Sequence, residues 1–511
     1  MANKKNNKKL IKILVPALVV VLIAVALVVV LLIPDSTEKN DVNQQNMPSY
    51  AEVQETVNED NVHQVEIQKD EKGEVVENGT GTLLSYVPMN IKEIKVENTK
   101  STFTIKSYTP VEITTDENGK EKEETQATEY TIVGFEDKDI AMGIPDAIAN
   151  DAAALDFTQV VSTGDKDEKD FGFDSPQATV TVTYEDKTKA VIIVGNKAPS
   201  NSGVYVKFGD GKEIYLVEED AVDSFLYSTN DLISLNVNDP VSNGDNATAS
   251  SITLGGTHYK DSVTFEPSDN ETANSNYLIT SPKKYYGDDQ GCSLVEAGIR
   301  GVKASSVAYV NPGDKELEKY GLVTPYATVD AVYPDTTVSL LASEPDSKGY
   351  CYLMVKGGDV IYKILEDSVQ WVSSSLDDLR SKYFVDNTLK ALSEAEVSFD
   401  NKEYEFDLET DSNNNTTVKC NDKEIELGDF QTAFDYMHST DFYRHEFTSE
   451  SLSGSPVMTV EFSYSGDRSD DEVKFYEKGN KIYVTVNGEQ ISYTYKTSVS
   501  QLKKLFTNAS K

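Results

Sequence analysis

Ser175-Pro176-Gln177-Ala178-Thr179-Val180, running on to Tyr184, is the first of three copies of one phrase. Thr324-Pro325-Tyr326-Ala327-Thr328-Val329 leads to Tyr333, and Ser455-Pro456-Val457-Met458-Thr459-Val460 leads to Tyr464. Recurrence at intervals of about one domain length marks tandem modules built on one plan. Proline fixes φ and lacks an N–H, so it belongs at a strand's first residue or on a sheet edge. The Thr-Val alternation behind it turns the valines inward and the threonines outward. The phrase reads as a folding signal.

Working outward from it, short alternating strands recur in one order. The first unit begins with Ile94–Val96, Phe103–Ile105 and Tyr130–Val133, with Asp116-Glu117-Asn118-Gly119 as an acidic turn. A helix around Pro145–Leu155 follows, then Val160-Val161, the phrase, and strands Ala190–Val194, Val204–Phe208 and Ile214–Val217. A closing helix is expected from Glu219, with Ala221, Phe225 and Leu232 on its apolar side. The second unit repeats this with Ile252–Leu254, Val263–Phe265, Tyr277–Ile279, a helix Ser293–Val302, and strands Tyr352–Val355 and Val360–Ile364. Its closing helix is expected over Asp367–Lys382, from Val369, Val372, Leu376 and Leu379. The third unit has strands Val397–Phe399, Tyr404–Leu408, Thr417–Cys420, Val473–Tyr476, Ile482–Val486 and Ile491–Tyr495, and helices over Gly428–His438 and around Val499–Phe506. The fold class is α+β: a β-rich body of three tandem antiparallel modules with short helices, over 90–236, 251–385 and 394–508.

The N-terminus carries a different signal. Lys4, Lys5, Lys8, Lys9 and Lys12 lead into Leu10–Ile33, which is nearly all Leu, Ile, Val and Ala. Residues 13–33 make roughly 30 Å of helix, a bilayer's apolar thickness. Lysines before the span and Asp35, Glu38 and Asp41 after it orient the N-terminus cytoplasmic and the body outside. A cleaved signal peptide is the competing reading. Against it, the apolar run is long and no small-x-small site follows Leu32-Ile33-Pro34. The reading is a cytoplasmic tail (1–12), a single-pass signal anchor (13–33) in the cell membrane, and an acidic flexible stalk (34–89).

Net charge is −39, and removing the five lysines that precede Asp35 leaves −44 on residues 35–511. So acidic a body repels phosphate backbones, which excludes nucleic acid as a partner. Cys292, Cys351 and Cys420 form no CxxC pair and no disulfide framework.

The sequence holds no nucleophile elbow, phosphate loop, His-Glu-x-x-His or dinucleotide fingerprint. Among its four histidines, His438 and His445 flank Asp441 and precede Glu446, which could bind a metal if the segment were one helix. Phe442-Tyr443 breaks that helix, so ordinary polar side chains are the better reading. The acidic clusters Asp165–Asp170, Asp288-Asp289 and Asp467–Glu472 lack the alternating ligands of a calcium loop and read as solvated loops. Tyr205 and Tyr215 read as sheet packing with wet hydroxyls. No catalytic, cofactor-binding or metal residue is assigned.

Phe171-Gly172-Phe173, Ser175-Pro176, Ala190–Gly195, Gly203–Val206 and Ile214–Val217, with Tyr320-Gly321-Leu322, Thr324-Pro325 and Ile361–Ile364, resemble the bacterial domain of unknown function 4340 family. The resemblance is clearest over about 90–385 and extends to the remainder of the body. Members usually place a tryptophan in the strand before the first helix, where this chain has Tyr130 and Tyr277. The resemblance implies a membrane-tethered extracytoplasmic protein, often associated with ABC-type export systems or gliding machinery, and supplies no catalytic residues. The expected function is a non-enzymatic anchored scaffold whose partner is a protein, such as an ABC permease or ATPase component. The alternative is a surface module binding wall glycan or divalent cations, and a third is a cell-wall hydrolase.

Overall fold

The structure, a computed structural model, describes residues 53–67, 80–115, 121–164, 166–240, 248–269, 274–381, 383, 385–412, 415–439, 442–444, 450–465 and 470–511. The apolar run 10–33 lies outside them. Among the described residues no helix is long and apolar enough to cross a membrane.

Three antiparallel sheets, of eight, nine and nine strands, organise the chain. From one edge, the first runs Gln159–Thr163, Glu213–Val217, Val204–Phe208, Lys189–Lys197, Ala178–Tyr184, Ile91–Asn98, Thr102–Tyr108, Glu129–Ile132. The second runs Ser306–Val310, Val360–Leu365, Tyr350–Val355, Thr337–Ala342, Ala327–Val332, Ser251–Gly255, Val263–Pro267, Tyr277–Ser281, Tyr285–Tyr286. The third runs Tyr443–Arg444, Glu489–Tyr495, Lys481–Val486, Asp471–Lys478, Met458–Tyr464, Leu392–Phe399, Lys402–Thr410, Thr416–Cys420, Lys423–Ile425. Chain order against spatial order is the same in each, apart from one further edge strand in the second (Tyr285–Tyr286) and third (Lys423–Ile425).

The phrase strand occupies the middle of every sheet. Its valine is flanked by Val96 and Ile192 in the first, Leu254 and Leu340 in the second, Val397 and Val473 in the third. All nine of these residues are fully buried or within 2% of it. Each inward valine contributes about 1.5–3 kcal/mol relative to exposure. The proline stands two residues ahead of the strand in each case, so the ladder keeps every donor it needs. The closing tyrosines are also buried, and Tyr184 stacks on Tyr86 while donating to the Ala152 carbonyl at 2.9 Å.

A helix covers each sheet between its third strand and its edge strand: Ile144–Ala153, Asp289–Ala297 and Leu427–His438. The last packs on the terminal helix Lys496–Ala509, with Phe430, Phe506 and Phe406 in mutual ring contact. The middle helix starts four residues before its expected Ser293, because Asp288 caps it by accepting from the Gly291 N–H at 2.9 Å.

Two expectations need correction. The closing helices of the first two units are not single helices: Asp223–Leu226 and Thr229–Leu232 are single 3-10 turns, as are Glu366–Ser368 and Gln370–Val372, with a four-residue helix at Leu376–Leu379. The stalk reading of 34–89 also fails over 53–67 and 80–89, the part of it that the structure describes. Val53–Val57 pairs with His63–Ile67, and Gly81–Ser85 pairs with Ala154–Phe157. Val65, Leu83 and Leu84 enter the first core, and buried His63 meets the Leu83 carbonyl at 3.1 Å. Residues this apolar and this well paired repay their ordering.

Asp151, on the first helix, accepts from the Ser224 hydroxyl. Burial holds its carboxyl up at about 6 from 3.8, helped by Asp220 and Asp223 and opposed by the Ser224 bond. Between these values the folded chain keeps a proton that the unfolded chain has released, so stability falls as pH rises through that window. Asp151→Asn is expected to raise the urea midpoint at pH 7 and leave it unchanged at pH 3.5. Equal midpoints at pH 7 would refute the buried-acid assignment.

Candidate functional site

The residues that first invite a chemical reading are held by local structure. His438 ends the helix Leu427–His438, with Nδ1 2.8 Å from the Phe434 carbonyl and its ring 4.2 Å from the Phe434 ring. Burial pushes its pKa down, favouring the neutral imidazole. Asp441, His445 and Glu446 lie outside the described residues. Asp167 caps a 3-10 turn, Glu168 pairs with Lys207 at 2.7 Å, and Asp289 accepts from the Asn276 N–H at 2.7 Å. Tyr205 makes an edge contact with Phe171 at 4.9 Å. Tyr215 departs from expectation: it is 1% exposed against Phe157, and its hydroxyl is buried. Cys292, Cys351 and Cys420 are free and buried, and burial raises their thiols, so they are poor nucleophiles.

One carboxylate group escaped the sequence reading. Glu394, Glu405 and Asp407 bring their oxygens within 4.8 Å of one another across paired strands of the third sheet. Alternation of acids at 394, 396, 405 and 407 was the available signal. All ligands there are carboxylates, two of the three exposed, and this is an acidic sheet face.

The junctions between sheets are more informative. After the third strand of the first sheet, Ala141 donates to the Leu232 carbonyl at 2.9 Å and Ser234 donates to that of Asp139 at 2.8 Å. In the second, Asp288 donates to Leu379 at 2.7 Å and Ser381 donates to Tyr286 at 2.8 Å. Every partner is displaced by 147 residues, and the same displacement takes Tyr130 to Tyr277 and Ile132 to Ile279 in the third strands. Each of these small ladders then reaches the next sheet at the start of its last strand in chain order. Lys138 pairs with Asp359, and Lys283 pairs with Glu489, whose other oxygen accepts from the Tyr285 hydroxyl at 3.2 Å.

The first junction is packed with apolar side chains: Phe135 and Ile140 touch the cores of both sheets, and Ile233 is buried in the second. The second junction holds a cleft of about 330 Å³. Lys283, Lys284, Tyr285, Tyr286 and Arg380 line one wall; Asp471, Asn487 and Glu489 face them. The Arg380 guanidinium lies over the Tyr285 ring at 4.2 Å and 3.5 Å from Asp377. Lys283 holds the Glu489 carboxyl below its ordinary value. Asp471 accepts from the Tyr464 hydroxyl at 2.8 Å and from the Asn487 amide at 2.9 Å. Partners here are some 200 residues apart in sequence, as with Lys283 and Glu489, so no local motif marks the cleft.

A family model described as a domain of unknown function (DUF4340) matches residues 136–308 and again 278–445. Relative to the expected start near 90 the match begins later, and its second copy reaches into the third sheet. The first copy begins just after a third strand and the second inside one, and both finish at the edge strand of the next sheet, so the family's unit spans a junction. No curated protein and no solved structure matches the chain.

Proposed function

The chain belongs to the domain of unknown function 4340 family, and on that footing we propose that it is a single-pass, membrane-anchored extracytoplasmic scaffold. Its body is read as three copies of one module, and its role is to hold a partner protein, such as a component of an ABC-type export system, outside the membrane. The observation that carries this reading is the repeated junction. The same ladder, displaced by 147 residues, joins successive sheets, and the family's unit includes it. A joint reproduced in this way gives a body of set geometry, which suits a spacer that presents surfaces at a defined distance. The lysine-flanked apolar run 10–33 and the acidic composition support the anchor and the outward side.

The test is cross-linking in intact cells followed by affinity purification of the full chain from membranes. Recovery of one stoichiometric membrane-protein partner is expected, and its loss is expected when residues 1–33 are replaced by a cleavable secretion signal. Recovery of no partner, or equal recovery from the secreted form, contradicts the tethered-scaffold role.

A further inference from the structure

The two junctions share a backbone ladder and differ in what fills them, position for position. Under the 147-residue displacement Phe135 becomes Pro282, Ile140 becomes Gly287 and Ile233 becomes Arg380. At the first junction Phe135 and Ile140 pack against the cores of both sheets, and Ile233 is buried in the second. Apolar burial thus fixes the first two sheets against each other. At the second junction Pro282 is exposed, and a Cβ on Gly287 would come within 2.7 Å of Tyr277 Cβ, so no side chain fills the space from there. Among the described residues no apolar side chain is shared by the cores of the second and third sheets.

The cleft of about 330 Å³ takes the place of that filling. Beside it the chain passes from one sheet to the next at Val385–Asn387. Val385 lies in the third core, whereas the Asp386 carboxylate is held by Ser275 and Ser381 of the second unit. A further tie crosses the cleft: Glu489, which opens a strand of the third sheet, takes the Lys283 ammonium and the Tyr285 hydroxyl. The lysine side chain is 61% exposed and the glutamate 40%, so their pair is a solvated one, weak and weakened further by salt. We propose that the passage between the second and third sheets is a hinge, with Val385–Asn387 as its pivot and Lys283–Glu489 as its latch, while the first two sheets move as one. Releasing the latch widens the cleft and turns the third sheet against the rest. The first two sheets keep the scaffold's set geometry, and the third presents a surface whose direction changes. The hinge stands on the two junctions alone, whatever the scaffold carries.

Distances between pairs of spin labels, read by double electron–electron resonance on the full, detergent-solubilised chain, test this. Lys95→Cys in the first sheet, Lys348→Cys in the second unit and Lys419→Cys in the third sheet place labels at exposed sites, and the native thiols are buried. The distribution between 348 and 419 is expected to be about twice as broad as that between 95 and 348. Lys283→Glu, at an exposed position, is expected to broaden the first further and leave the second unchanged, which also shows that the variant folds. Adding Glu489→Lys to it remakes the pair with its charges exchanged and is expected to restore the original width. Equal widths for the two label pairs, or a distribution between 348 and 419 indifferent to Lys283→Glu, overturns the proposal.

Discussion

Trp371→Ala is expected to destabilise the second sheet's unit by about 3–5 kcal/mol, the range for emptying a fully buried large aromatic site. Trp371 is 0% exposed and sits among Val295, Val369 and the phrase strand's Val329 in one core. Its indole N–H donates to the Gly298 carbonyl at 2.9 Å, where the covering helix ends, and its own carbonyl accepts from the Tyr259 hydroxyl at 2.9 Å. Truncation removes the ring that fills the space beneath the helix and leaves a helix-end carbonyl without its partner. The helix end already packs tightly there, since a Cβ at Gly298 would meet the Val369 Cα at 3.0 Å, so it has little room to settle into the gap. With three separate sheets the chain need not unfold in one step. Urea unfolding followed by far-ultraviolet dichroism should show one transition moved to lower urea and the rest little changed. A uniform shift of the whole curve would mean that the sheets share one cooperative core.

Asp386→Ala comes next, at about 2–5 kcal/mol, since two buried donors lose their acceptor together. Asp386 is 1% exposed at the passage from the second sheet to the third. Its carboxylate accepts from the Ser275 N–H at 2.9 Å, the Ser275 hydroxyl at 2.8 Å and the Ser381 hydroxyl at 3.3 Å. Burial raises its carboxyl pKa, and these bonds pull the other way. Alanine leaves a buried peptide N–H with nothing to meet, whereas Asp386→Asn keeps one acceptor and should lose roughly half as much. Hydrogen exchange at the amides of residues 274–288 reads the effect locally. Unchanged protection there in the alanine variant would remove Asp386 from the joint.

Much of the sheet architecture could be read because period-two alternation is a local property. Val180 and Val182, and Val460 and Phe462, are inward on the strands where the phrase put them. The covering helices announced themselves through Pro145 and through the spacing of Phe430, Ala433, Phe434 and Met437. The closing segments misled for a definite reason. Val369, Val372 and Leu379 are all buried, as helical spacing demands, but Val369 adopts φ −140, ψ 59, and Ser375 caps a new turn by accepting from Asp378. Successive 3-10 turns can bury the same positions as one helix, so periodicity could not separate them. The stalk was misjudged because Val65 and Leu83 find their core partners only in strands far down the chain. The cleft was invisible for the same reason: its walls meet by tertiary contact.

Protease digestion of intact cells, followed by carbonate extraction of their membranes, tests the anchored, outward-facing scaffold most directly. The body is expected to be cut from outside without lysis, while an N-terminal fragment stays in the membrane pellet through carbonate. A body protected until the cells are broken, or a chain released whole by carbonate, would contradict it.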